Sequence, residues 1–279
     1  DSSLFIHHTT TGIVLLIIYV DDMVIMSSDH TSIQHLKEQL KASFHMKDLS
    51  PLRYFLGLEV SMDSKGLFLH QHKYVEDLIS LAGLHSTTPV DTPLEINVKY
   101  HRDEGDLLSD ALLYRQLVGS LNYLTITRLD IAFAVQQVSQ FMHTPRHHHL
   151  AVVRRIIRYL KGTSTRGLFL PNDSPTTLVG YSDADWAGCA DTRRSVTSYC
   201  MFLGPALISW KKSSTESEYQ AMSTTCFEII WLCGLLAELG FPQTNATPLH
   251  ANNTSTIQIA ASLVFHKRTK HIEVDFHSI

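Results

Sequence analysis

Apolar positions recur along the chain with two different periods. The runs at 13–19 and 23–26 are rich in Val and Ile and flank Asp21 and Asp22, which predicts a β-hairpin with acidic residues at its tip. After Ser28 and Asp29, either of which can cap a helix, Ile33, Leu36, Leu40 and Phe44 keep a three-to-four spacing, so a helix follows. LRYFLGLEVSM, DSKG and LFLHQ read as a second hairpin around a glycine-containing turn. KYVEDLISLA, stopped by Gly83, predicts a short helix.

Residues 85–110 lose this order. They carry Pro89, Pro93 and many polar side chains, and predict a linker. From 110 to 161 the helical period returns: two helices surround 127–130, and a third starts after Pro145 and stops at Gly162. Beyond it LVGYSDADWA, SVTSYCMFL and ALISWK predict strands. A long helix over 213–239 closes at Gly240, and a short strand (248–251) and a short helix (255–261) follow. Strands, long helix, strand and helix form an α/β order, so the expected fold class is α+β overall. The expected division is 1–84, 85–162 and 163–279.

Composition adds limits. The hydrophobic share is 44% and the charged share 18%, which is globular and not disordered. The formal charge is −4, so any nucleic-acid binding has to come from local basic patches. Cys189, Cys200, Cys226 and Cys233 show no CxxC spacing and read as reduced, mostly buried thiols of an intracellular protein. The apolar run at 13–19 is too short to span a bilayer, and no membrane partner is expected. The chain opens DSSLFIHH, with no basic leader and no Met, which predicts a fragment.

Two adjacent aspartates on a tight hairpin offer oxygen ligands at one rigid point, as metal-assisted phosphoryl transfer requires. A bare Asp-Asp also simply makes a turn, because Asp side chains bond the local backbone. The context favours chemistry. YVDD at 19–22, the following LKEQLKASFHMKDL and LRYFLGLEV, then YRQLVGSLNYLTITRLDIAFAV and HHHLAVVRRIIRYLKGT, and finally SDADWAG, TESEY and FHKRTKHIEV resemble copia-type retrotransposon Pol, from the YVDD of its reverse transcriptase through its ribonuclease H. The resemblance covers essentially the whole chain. It implies a reverse transcriptase palm remnant (1–84), a helical thumb or connection (85–162) and a ribonuclease H-like α/β domain (163–279), C-terminally truncated.

The resemblance also implies roles. Asp21 and Asp22 become metal-binding carboxylates of the polymerase, and Phe55, Leu56 and Gly57 the hairpin that grips the primer terminus. Asp183 and Glu218 become the first two acids of the ribonuclease H site. Asp185 is a neighbouring ligand or a solvated strand end, and Glu216 a favourable charge near a helix start. The third acid position falls on Asn252, whose neutral amide cannot replace an anionic oxygen pair. The implied cofactor is Mg2+ or Mn2+, held weakly or not at all, and the implied partner is an RNA–DNA hybrid or template-primer. Other departures are Leu129, where the family has Pro, and a shortened connection between ISW and SSTE, expected to shorten an edge strand. The family's upstream aspartate and fourth nuclease acid are also missing. The expectation is a catalytically inactive remnant of an RNA-directed DNA polymerase and nuclease. Residual ribonuclease H activity or non-catalytic nucleic-acid binding is the alternative.

Of the basic residues, Arg154, Arg155 and Arg158 on one helix, and Lys267, Arg268 and Lys270, are candidates for tracking a nucleic-acid backbone. Lys161 reads better as a charge on a helix C-terminus. His147, His148 and His149 are consecutive on a helix and point in different directions, which disfavours a shared metal ion. His266 and His271 sit in the block that resembles the family.

Overall fold

The computed structural model of the chain describes residues 2–10, 12–49, 51–95, 98, 100–184, 195–215 and 218–251. Strands β1 (Ser2–Thr9), β2 (Gly12–Tyr19) and β3 (Asp22–Ser27) form an antiparallel meander. The expected hairpin is β2–β3; β1, from a stretch with no clear alternation, adds to its edge. Helix α1 (His30–Ser43) starts at Asp29, whose carboxylate accepts from the Thr31 N–H at 2.9 Å. Its apolar spacing predicts a core face, yet no residue of α1 is buried.

The second hairpin is β5 (Leu58–Met62) and β6 (Gly66–His70), preceded by a two-residue strand β4 (Tyr54–Phe55) on the other side of β5. Helix α2 (His72–Leu81) leads into the stretch read as a linker, then come α3 (Ala111–Leu124), a 3-10 turn (Leu129–Ile131), α4 (Ala132–Ser139) and α5 (His147–Gly162). These helices bury one continuous apolar cluster that includes Ile79, Leu117, Leu121, Val135, Ile156 and Leu160. Strand β7 (Gly167–Pro171) then pairs antiparallel with β6, from Gly66 opposite Pro171 to His70 opposite Gly167. The strand that opens 163–279 therefore completes the sheet of the 54–70 hairpin. Backbone approach is tight there: a Cβ on Gly167 would lie 2.2 Å from the Leu69 carbonyl oxygen.

Residues 84–95 and 100–108 are no loose tether. Arg155 donates to Glu95 and to Thr92 Oγ1, both at 3.1 Å, and Arg158 to the Thr88 carbonyl at 2.7 Å. Lys161 donates to the Thr87 carbonyl at 2.9 Å and to those of Leu84 and His85. Arg146 reaches the carbonyls of Arg102 and Gly105. The segment is a strap laid across α5, with Val90, Leu94, Tyr100 and Leu108 against the cluster.

A polar network closes the helical unit. Arg128, 2% exposed, forms a two-bond pair with Asp130 (2.9 and 2.7 Å) and donates to the Thr163 carbonyl and hydroxyl (2.9 and 2.7 Å). Tyr159 donates to Asp130 at 2.7 Å. Burial alone would raise the Asp130 pKa; the hydrogen bonds from Arg128 and Tyr159 and the Arg128 charge outweigh it and hold the carboxyl below its ordinary value.

The last sheet has the order β10-β9-β8-β11, where β8 is Leu178–Ala184, β9 Ser195–Leu203, β10 Ala206–Thr215 and β11 Leu249–Ala251. The first three are antiparallel and β11 runs parallel to β8. Helix α6 (Glu218–Glu238) covers one face. The helix expected from 213 thus starts later, because 213–215 extend β10 against β9. The edge strand expected to be short is ten residues long. Leu232 and Leu236 pack with Leu178 and Met201, and Phe227, Ile230 and Trp231 point outward. The 221–238 stretch is long and apolar enough to cross a membrane, and a third of it (33%) is buried within the structure. β10 docks on the helical unit through the Trp210 indole N–H to the Thr125 carbonyl (2.9 Å) and Lys212 over the Phe133 ring (4.1 Å). The proposed helix at 255–261 lies outside the described residues.

Two predictions follow from this packing. Asp130→Asn should cost about 2 kcal/mol at neutral pH, and Arg128→Ala about 3 kcal/mol, because each strands a partly or fully buried partner. A carboxyl with a depressed folded pKa gives stability above its unfolded pKa that is lost as pH falls through the folded value, so the Asp130→Asn deficit should shrink on acidification. Urea titrations between neutral pH and pH 3 check both size and direction. Gly167→Ala should separately weaken the β6–β7 ladder, by about 2 kcal/mol, and speed amide exchange in 66–71 and 167–171 together.

Candidate functional site

The turn between β2 and β3 has two residues, Val20 and Asp21, with Tyr19 opposite Asp22 in the last pair of the ladder. Val20 has φ +50° and is 70% exposed. A β-branched side chain at positive φ is strained, and such strain persists where the surroundings over-determine it. The tight turn fixes the direction of Asp21 and Asp22, both exposed. As hard oxygen donors they suit Mg2+ or Mn2+. Two carboxylates are an incomplete set, however, and among the described residues no group of three or more His, Cys, Asp or Glu comes together. Asp21 and Asp22 would hold such an ion only with ligands from elsewhere, such as phosphate oxygens or water.

The second candidate turn, between β4 and β5, is also two residues long. Leu56 has φ +50° and Gly57 φ +76°, the left-handed pair that a tight hairpin of this hand requires. Tyr123 of α3 donates its hydroxyl to the Leu56 carbonyl. Its ring meets Tyr74 of α2 edge-on at 5.1 Å. Burial, then the neighbouring phenols of Tyr74, Tyr54 and Tyr19, push the Tyr123 pKa up. The phenols of both Tyr19 and Tyr54 thus act electrostatically on the Tyr123 hydroxyl. Phe55, Leu56 and Gly57 are half-buried, and Tyr54 is exposed.

In the last sheet, Asp183 is exposed on β8, opposite Ser198. Alternation puts it with Tyr181 on the face away from α6, since Ser182 is buried and Gly180 lies under Ile229. That face carries an open groove of about 360 Å³ lined by Tyr181, Asp183, Ser198, Cys200 and His250. Glu218 is the first residue of α6. Ile229 lies over Gly180 and the later Leu232 and Leu236 pack with the earlier Leu178, so α6 runs antiparallel to β8. Residue 218 is therefore carried toward the end of β8 that holds Asp183. Asp185, Glu216, Asn252, His266, Lys267, Arg268, Lys270, His271 and Cys189 lie outside the described residues.

The basic candidates on α5 divide. Arg154 is exposed, whereas Arg155 and Arg158 hold the 88–95 strap. Lys161 does more than complement a helix end: it gathers three carbonyls that follow α2. Of the three histidines, His149 is 1% exposed, stacks on Phe141 at 3.8 Å, accepts the Arg146 N–H at Nδ1 and donates from Nε2 to the His101 carbonyl. It is a structural residue. Cys200, Cys226 and Cys233 are half-buried free thiols, and burial raises the pKa of the first two. The sequence reading missed Tyr123, which leaves α3 on the side opposite the buried Tyr114, Leu117 and Leu121; only the turn it touches reveals its place.

Residues 1–96 match the family model for reverse transcriptase (RNA-dependent DNA polymerase). The retrovirus-related Pol polyprotein from transposon RE1 of Arabidopsis thaliana is 40% identical over 287 aligned positions, which cover 100% of this chain and 20% of that protein. The corresponding polyprotein from transposon TNT 1-94 of Nicotiana tabacum is 36% identical over 99% of this chain and 22% of its own length. An uncharacterized mitochondrial protein of Arabidopsis thaliana is 40% identical over 77% of this chain and 93% of its own length. The chain spans about a fifth of the length of the Pol polyproteins it matches. It belongs to the family of copia-type retrotransposon Pol polyproteins and carries part of their reverse transcriptase region.

Proposed function

We propose that this chain contributes the catalytic-carboxylate hairpin and the primer-gripping hairpin of an RNA-directed DNA polymerase, followed by a ribonuclease H-like region. The observation that carries the polymerase reading is the exposed Asp21–Asp22 pair on a strained two-residue turn. When bound, divalent metal ions supply charge stabilisation at the reacting phosphate. The chain's own part is to hold two carboxylates rigidly and to place a primer end beside them. The partner class is a template-primer or RNA–DNA hybrid, and 55–57, Arg154, Lys267, Arg268 and Lys270 are its contact candidates.

The nuclease reading is supported by the β10-β9-β8-β11 order with a parallel fourth strand, by Asp183 on β8, and by α6 running back toward that end from Glu218. β11 stays in register with β8 up to Ala251 opposite Ser182, and Asn252 is the next residue in the chain. A neutral amide offers one carbonyl oxygen where Asp would bring a charge and two, so we assign this region nucleic-acid binding without hydrolysis. By itself the chain binds nucleic acid and is catalytically silent.

The chain should show no primer extension on an RNA template, and salt-sensitive binding of a template-primer duplex, weakened about threefold or more by Arg154→Ala. Extension above background that Asp21→Ala abolishes would overturn the assignment of silence. Hybrid cleavage should be undetectable in Mg2+ or Mn2+. Asn252→Asp should tighten Mn2+ binding by calorimetry while restoring little turnover. Unchanged metal affinity would show that Asn252 is not the acid position, and robust cleavage by the parent chain would refute a silent site.

A further inference from the structure

The two turns of the proposed polymerase site differ in how they are held. The β2–β3 turn is closed by its own ladder. The β4–β5 turn follows a strand of only two residues, so its ladder is too short to fix it alone. What remains is α3. The Tyr123 hydroxyl donates to the Leu56 carbonyl, inside the turn. Its ring lies so close over Gly57 that a Cβ there would stand 2.9 Å from the phenol oxygen and 3.2 Å from Cε1. The opposite side of the ring region is set by Tyr74, edge-on at 5.1 Å. Behind Tyr123, Leu121 and Leu124 are fully buried, so α3 gives the phenol a rigid base. Gly57 is therefore required twice, for its positive φ and for the phenol above it.

We infer that Tyr123 is a positioning residue: it fixes the Leu56–Gly57 turn against the helical unit and so sets where a primer terminus held by that turn stands relative to Asp21 and Asp22. This rests on the polymerase reading for its primer half and on the contacts of Tyr123 for its structural half.

The test uses the full chain and Tyr123→Phe, which keeps the ring and removes only the donor. Without nucleic acid, hydrogen exchange over 54–60 should rise about tenfold in the variant, the loss expected for one hydrogen bond, while 72–81 and 147–162 stay unchanged. Gly57→Ala should raise exchange in the same segment, and by less when Tyr123 is already Phe, because the Cβ then no longer meets a hydroxyl. With an RNA template annealed to a DNA primer carrying 2-aminopurine at its 3′ end, the variant should lose most of the fluorescence change seen with the parent. Overall affinity should move less than about twofold, since phosphate contacts elsewhere supply most of it. Unchanged exchange over 54–60 in Tyr123→Phe overturns the positioning role. Raised exchange with an unchanged probe signal overturns the link to the primer terminus. Absence of duplex binding by the parent overturns the polymerase reading and the primer half with it, while the exchange result still decides the structural half.

Discussion

The ladder between β6 and β7 joins a strand that ends at His70 to one that begins at Gly167. Neighbouring strands stand about 4.8 Å apart, so everything between them must fold into a unit whose two ends meet. The helices α2 to α5 satisfy that condition by burying one apolar cluster, and the Arg128–Asp130–Tyr159–Thr163 network fastens the exit of α5 just before β7 begins. A desolvated guanidinium is costly unless its donors are met. Here four of the five N–H groups are, two by Asp130 and two by Thr163, which ties the end of α5 to this pair.

That closure also places the candidate chemistry. The 54–62 strands hang on β6, and β6 is registered by β7, so the Leu56–Gly57 turn is fixed from its sheet side by a contact more than a hundred residues away in the chain. From the other side it meets α3. The last sheet is docked separately, through Trp210 and Lys212 on β10, against Thr125 and Phe133 at the α3–α4 corner. Both halves of the chain therefore take their bearings from the same helical unit. A segment that looks like a linker by composition is the strap that Arg155, Arg158 and Lys161 tie to it.

Local signals were legible in the sequence because local physics decides them. Asp29 and Asp110 cap their helices, Gly83 and Gly240 end theirs at positive φ, and the Val/Ile runs around Asp21–Asp22 pair as a hairpin. What the sequence hid is non-local. GLFLP at 167–171 is an ordinary apolar run until β6 pairs with it, and nothing in 85–110 announces that Thr88, Thr92 and Glu95 meet Arg158 and Arg155 of α5. The α1 pattern misled in the other direction: a three-to-four spacing shows amphipathicity but not whether a partner surface covers the apolar side. At the candidate site, Asp21, Asp22 and the 55–57 turn were found from motif and resemblance. Tyr123 was not, since a tyrosine off the buried stripe of α3 carries no mark of the distant backbone it bonds.

Leu129 and Asn252 separate the constraints of folding from those of chemistry. Leu129 opens the 3-10 turn, a first position whose N–H needs no partner within the helix, which is why a proline fits there. Leu adopts the same backbone, so replacing Pro forfeits about 0.4–1 kcal/mol of unfolded-state restriction and leaves the folded network around Arg128 intact. The glycines at 57 and 167, by contrast, stand where a single Cβ would collide with Tyr123 or with the Leu69 carbonyl. Under the proposed reading Asn252 is a change of the opposite kind: it is close to Asp in size and shape, and alters only what the side chain can do to a cation. The collisions at 57 and 167 therefore constrain the backbone itself, whereas an amide in place of a carboxylate at 252 would bear only on the chemistry proposed for it.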